Sequence, residues 1–271
     1  MLKNLFVIAA ASIFAGACTK NAVTGRSQLK LLPESELQSM ASGEYQTFLS
    51  QNKVVSSSVS KDAEMVKRVG SRISNAITKY YNAQGKGDVI KGYQWEFNLV
   101  DSKEVNAWCM PGGKVVVYSG LFPVTQNEAA LAIVMGHEIA HAIAQHGNER
   151  MSQQLIAQGI GVAGGVLTSG NAKVSNIFNT VYAPSAQVGV LLPNSRKQEL
   201  EADHFGLIFA ALAGYNPNEA VPFWERMAHA GSGANTPEFL STHPSDQTRI
   251  EKVKEYVKEA MQYYKPMNQG K

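Results

Sequence analysis

Apolar positions along this chain fall into helical and alternating spacings, and each predicts an element. From Leu32-Pro33-Glu34 to about Leu49, Leu37, Met40, Ala41 and Phe48 recur at helical spacing. After a Ser-rich break at 56–60, Val66, Val69, Ile73, Ile77 and Tyr80 make a second apolar stripe, which Gly85 and Gly87 end. The period then shortens. Gln94-Trp95-Glu96-Phe97-Asn98-Leu99 alternates as a half-buried strand does, and Lys114 to Tyr118 is a β-branched run. Between them lies Asn106 to Gly113, with Pro111-Gly112-Gly113 as turn chemistry.

Helical spacing returns at Leu131, Val134, Met135 and Ile139, in a segment reaching about His146, with Thr125 and Glu128 as its expected capping box. A second box, Ser195 with Gln198, opens a helix to Gly214; a third, Asn216 with Glu219 behind Pro217, opens one to about Gly231. Pro244-Ser245 introduces the last, with Ile250, Val253, Val257, Met261 and Tyr264 on one face. Without an internal repeat or an obvious linker, the pattern predicts one mainly helical α+β domain with a small sheet. One stretch stands apart: from Met151 to Ser195 the only charged residue is Lys173, and Gly159, Gly161, Gly164 and Gly165 interrupt an apolar run. It suits a helix pair packed closely through glycine, a lid over a site, or a surface that docks on membrane or partner.

Composition sharpens the class. Across 271 residues, 44% hydrophobic and 17% charged, the chain is neither disordered nor collagen-like, and its +3 charge is too diffuse to advertise nucleic acid. The N-terminus sets the compartment. Lys3, the apolar run Leu5 to Phe14, the small residues Ala15-Gly16-Ala17 and then Cys18 follow the order of a secretory signal and resemble a bacterial lipobox. Residues 1–17 are therefore expected to be a removed signal peptide and Cys18 the lipidated first residue. A polar tether over 18–31, a folded domain over 32–265 and a tail over 266–271 would follow. With Cys18 acylated, Cys109 has no partner and no internal disulfide is expected.

The chemistry is densest at His137-Glu138-Ile139-Ala140-His141, an H-E-x-x-H in a predicted helix. Histidines four apart share a face and can bind one zinc ion, while Glu138, about 100° round the helix, can address a water on it. A catalytic zinc needs a third protein ligand and an open position. Glu199-Leu200-Glu201-Ala202-Asp203 offers two candidates. Glu199 shares a face with Asp203, which could then accept from the free ring N–H of a ligating histidine; a ligating Glu201 would leave Asp203 pointing away. Glu199 is preferred.

Asn106-Ala107-Trp108-Cys109-Met110-Pro111-Gly112-Gly113, His137 to His141, Ser195-Arg196 leading to Glu199 through Asp203, and Thr242-His243-Pro244 occur in an order that resembles a known family. It is that of the gluzincin metallopeptidases grouped with HtpX, the Oma and Ste proteases, and most nearly its bacterial envelope lipoprotein branch of LoiP and BepA. Asn21 to Arg26 is similar to the start of the mature lipoproteins. The resemblance implies a zincin fold, one zinc held by His137, His141 and Glu199, and Glu138 as general base in hydrolysing peptide bonds of misfolded or unassembled envelope proteins. It also implies that Lys114, Val115, Val116, Val117 and Tyr118 form an edge strand along which substrate lies extended in the cleft.

His243 would be catalytic as an oxyanion stabiliser, or a fourth zinc ligand that keeps the enzyme latent, or only a cap for the last helix. Arg249 is a candidate partner for a carboxylate or a substrate carbonyl, or a structural arginine. His146, His204 and His229 read as structural, with His146 a possible cation at a helix C-terminus. The expected place is the outer membrane facing the periplasm, since Thr19 after Cys18 does not resemble an inner-membrane retention signal. Outer-membrane assembly machinery is a possible partner; no tetratricopeptide pattern follows Tyr264 to recruit one. Two other readings stay open: an assembly factor that binds clients and seldom cuts, and a structural zinc module.

Overall fold

The computed structural model describes residues 18–159, 170–182, 195–231, 237–243 and 247–266. The expected signal peptide lies outside them, as do Pro244-Ser245 and much of the uncharged stretch, including Gly161, Gly164 and Gly165.

The first described residues correct an expectation. Rather than a tether, 18–31 contains an antiparallel hairpin of β1 (Cys18–Lys20) and β2 (Ser27–Leu29) that docks on the fold. Its polar side chains have buried work to do. Asn21 Nδ2 and Gln28 Nε2 both donate to the Ala144 carbonyl at 2.9 Å. A carbonyl at a helix C-terminus has no intrahelical partner, so these two amides supply one.

Helices α1 (Glu34–Gln51) and α2 (Lys61–Ala83) form where the apolar stripes predict them. The four-stranded sheet comprises β3 (Val54–Val55), β4 (Glu96–Val100), β5 (Ala107–Met110) and β6 (Lys114–Tyr118), in the spatial order β3-β4-β6-β5. Here a second expectation fails. Lys114, Val115, Val116, Val117 and Tyr118 are not an edge: β6 pairs parallel with β4 on one side and antiparallel with β5 on the other. Val115 and Val117 pack with α2 in the main core, while Val116 and Tyr118 pack with α1 in a second cluster. A strand covered on both faces reads as an unbroken apolar run, and Val115-Val116-Val117 is one. Among the described residues the free edge beside β6 belongs instead to β5, and the turn joining the two is the expected Pro111-Gly112-Gly113, with both glycines at positive φ, 81 and 85.

Two short helical turns lead to the central helix: a 3₁₀ turn at Ser119–Leu121 and α3 (Phe122–Thr125). α4 (Glu128–Ile143) begins later than its expected capping box. Gln126 takes φ 63 and breaks the chain direction, so Asn127 becomes the cap, accepting from the Ala130 N–H at 2.8 Å. Glu128 pairs with Arg68 instead. In the other boxes the fourth residue is drawn elsewhere, while Asn216 keeps its role as a cap. Gln198 donates to Glu149 at 2.8 Å; Asn216 caps through the Asn218 N–H, and Glu219 pairs with Arg226 at 2.9 Å.

The remaining helices are α5 (His146–Ala157), α6 (Ala172–Tyr182), α7 (Ser195–Leu212), α8 (Ala220–Ala230), α9 (Glu238–Thr242) and α10 (Gln247–Ala260). α4 and α7 make the most extensive helix contact in the molecule. Glycines set its depth: a Cβ on Gly136 would stand 2.6 Å from the Gly206 carbonyl oxygen, and one on Gly206 would stand 2.7 Å from the His137 nitrogen. Gly206→Ala should therefore force the two helices apart, at a cost of about 1–3 kcal/mol. Denaturant unfolding checks this, and an unchanged midpoint would contradict it.

Candidate metal centre

α4 is buried all round, so its histidines and Glu138 are carried into the interior rather than onto a surface. His137 and His141, one turn apart, meet Glu199 from the first turns of α7 and His243 from just after α9. One donor atom from each lies within 4.8 Å of all the others. His137 Nε2 is 3.1 Å from His141 Nε2, the Glu199 oxygens stand 3.4 Å from His137 Nε2 and 3.3 Å from His141 Nε2, and His243 Nδ1 is 3.0 Å from Glu199 Oε2. The structure brings the three expected ligands and His243 together; Glu201 points elsewhere.

These residues fit a metal ion. With their Nδ1 protons directed at Asp203 and His146, the Nε2 atoms of neutral His137 and His141 would face each other at 3.1 Å as two lone pairs, an arrangement that a cation between them relieves. Three imidazoles and a carboxylate form a donor set suited to zinc and its neighbours among the transition metals. The carboxylate is prepared for this: burial works against its charge, yet His243, His141 and Arg249 hold Glu199 well below the usual carboxylate range. Burial keeps His141 neutral. His137 differs, because burial is outweighed by Asp203 and Glu199, which push it up to about 9. That proton must leave when metal binds, so metal uptake should release acid and weaken as pH falls below about 9; a metal titration in weakly buffered solution reads the release.

Outer contacts orient the ligands. Asp203 Oδ1 lies 2.9 Å from His137 Nδ1. Arg249 grips Asp203 through Nε at 2.7 Å and Nη2 at 2.9 Å, donates Nη1 to the His243 carbonyl at 3.1 Å, and stacks 4.0 Å from the Trp224 ring centre. Of the readings open to Arg249, the carboxylate partner is the one the geometry takes.

Glu138 is not part of the ligand cluster. Its carboxyl is pushed up by burial, Oε1 has no hydrogen-bond partner, and it faces a cleft lined by Asn106 to Met110, Arg150, Tyr182 and Thr242. The open edge of β5 thus forms one wall. Cys109 lies in that wall, its thiol pushed well above its ordinary range by burial, which keeps it protonated.

His146 is not the expected cation at a helix C-terminus: it begins a helix, and burial pushes it below its ordinary range. α4 ends at Ile143 and Gln145 turns the chain at φ 54, so His146 starts α5, fully buried, with Nδ1 2.9 Å from His141 Nδ1. His204 pairs with Glu259 at 2.9 Å, away from the cluster. Spacing alone had no signal for His146, because the break at Gln145 redirects it.

The model of peptidase family M48 matches residues 63–257, which contain every element of this centre. The chain is 33% identical over 189 residues to the mitochondrial metalloendopeptidase OMA1 of Schizosaccharomyces pombe, covering 69% of this chain and 53% of that protein. It is 28% identical over 247 residues to human OMA1, covering 88% and 46%. To the beta-barrel assembly-enhancing protease of Yersinia pestis it is 31% identical over 185 residues, covering 64% and 37%. The chain spans about half the length, or less, of these curated relatives. A match running from α2 into α10, across both histidines and the α7 carboxylates, settles the relationship: the chain belongs to peptidase family M48.

Proposed function

We propose that the protein is a zinc metalloendopeptidase that cuts misfolded or unassembled polypeptides of the bacterial cell envelope. The observation that carries this reading is the convergence of His137, His141 and Glu199 beside Glu138, whose Oε1 makes no hydrogen bond, lies 3.4 Å from His243 Nε2 and faces a cleft. Bound by the two Nε2 atoms and the Glu199 carboxylate, zinc would serve as a Lewis acid that lowers the pKa of water toward about 7 and polarises the scissile carbonyl. Glu138 takes the proton of the attacking water and delivers it to the leaving amine. Asp203, fixed by Arg249, holds His137 in the tautomer that leaves Nε2 free for metal. Substrate lies extended along the β5 edge, paired through its backbone, which tolerates many sequences.

The envelope assignment rests on the signal-like residues 1–17 with Cys18 as a lipidated first residue, and it is supported by relatives named for beta-barrel assembly. The outer membrane, facing the periplasm, is the expected side. The test is zinc content and casein cleavage by the full chain in detergent. Stoichiometric zinc, with activity lost to a chelator and restored by zinc, is the expected result; cleavage indifferent to chelation would sink the reading.

His243 favours latency in the resting state, because Nδ1 stands among the ligand atoms, 3.3 Å from His137 Nε2, where a fourth ligand would sit. His243→Ala should then raise casein cleavage several-fold. A fall in kcat at unchanged zinc content would instead make His243 a stabiliser of the oxyanion.

A further inference from the structure

The two histidines of α4 are supported differently. His137 Nδ1 meets a carboxylate directly, whereas His141 Nδ1 reaches one only through a relay that ends on the N-terminal hairpin. His141 Nδ1 is 2.9 Å from His146 Nδ1, and His146 Nε2 is 3.0 Å from Glu201 Oε2. Arg26, in the loop of the hairpin, closes the chain: Nε and Nη2 donate to Glu201 at 2.7 and 3.0 Å, while Nη1 and Nη2 donate to Glu149 at 2.6 and 2.7 Å.

We infer that the N-terminal hairpin is a working part of the metal centre, with Arg26 and His146 as positioning residues for His141. This rests on the metal reading above. If His141 binds metal through Nε2, its proton sits on Nδ1 and donates to His146 Nδ1; the one remaining ring proton of His146 is then on Nε2, aimed at Glu201. Coordination at one end thus assigns every donor along the relay. A histidine ligand whose outer N–H is held this way is fixed in rotation and made a better electron donor.

The arginine is what lets two carboxylates meet there. Glu149 is buried and Glu201 nearly so, and they share one guanidinium whose planar fork addresses both. Without it, two negative charges would face each other and Glu201 would be free to swing from His146. The hairpin is itself pinned by Asn21 and Gln28 to Ala144, three residues beyond His141, so Arg26 is delivered to a set place. The ligand is thereby joined to a hairpin whose first residue is Cys18.

The experiment uses the full chain in detergent, stripped of metal. Zinc affinity is measured by competition with a chromophoric chelator, and the cobalt form by its visible absorption. Arg26→Gln, His146→Leu and the double variant are compared with the unaltered chain at matched circular dichroism. Each single change should weaken zinc roughly 10- to 100-fold and alter the cobalt bands, and the double should be no weaker than the worse single, because both cut one relay. Should Arg26→Gln fail to fold, His146→Leu, which leaves the hairpin contacts intact, carries the measurement alone. Wild-type affinity and spectrum in the variants would overturn the inference, as would strictly additive losses. Failure of the unaltered chain to bind zinc would instead strike the metal reading on which it rests.

Discussion

Glu138→Gln should lower casein cleavage by at least about 10²-fold while leaving zinc content unchanged. The replacement keeps shape and volume but cannot accept and return a proton. Glu138 lies outside the cluster of candidate ligands, and its buried Oε1 has no hydrogen bond to lose. The variant also divides the proposed protease from an assembly factor that binds clients without cutting them. A client-binding protein would behave as before; a protease would hold substrate and leave it whole. Cleavage persisting at the unaltered rate would show that the reaction does not pass through this carboxylate.

Arg249→Ala is expected to be the most destabilising single change at the centre, by about 3–5 kcal/mol, because it strands a buried anion. Arg249 is 4% exposed, and Asp203, also 4% exposed, receives two of its hydrogen bonds. Burial would raise the Asp203 carboxyl, and it is chiefly Arg249 that holds it below its ordinary range. Losing the cation should therefore expose an uncompensated charge beside His137 and weaken zinc as well. Lysine should rescue poorly, since it has no planar guanidinium to bridge both oxygens and stack on Trp224. Denaturant unfolding of Arg249→Ala, Asp203→Asn and the pair forms the check. A loss below about 1 kcal/mol for Arg249→Ala would show that the ion pair contributes little.

Much of the helical framework was legible because amphipathic stripes report burial directly: Val66, Val69, Ile73 and Ile77 on α2, and Ile250, Val253 and Val257 on α10, are all buried. Helix starts were less so. Thr125 and Glu128 match a capping box by residue type, yet the left-handed Gln126 and the pull of Arg68 on Glu128 moved the cap to Asn127. Periodicity also placed Glu199 and Asp203 on one face, which anticipates that both meet the α4 histidines. It had no means of showing what Glu201 faces.

What the sequence determined by itself was local: helical period, the one-turn spacing of His137 and His141, and the shared face of Glu199 and Asp203. All of it follows from backbone geometry over a few residues. Tertiary structure alone decided the order of strands, which made β6 interior and left β5 as the cleft wall, and the docking of residues 18–31 as a hairpin. It alone joined Arg26, Glu149, Glu201 and His146, up to 175 positions apart, into one support behind His141. Such contacts depend on how closely α4 and α7 approach and where the hairpin lands. Those distances are set by packing between distant segments, which no local pattern encodes.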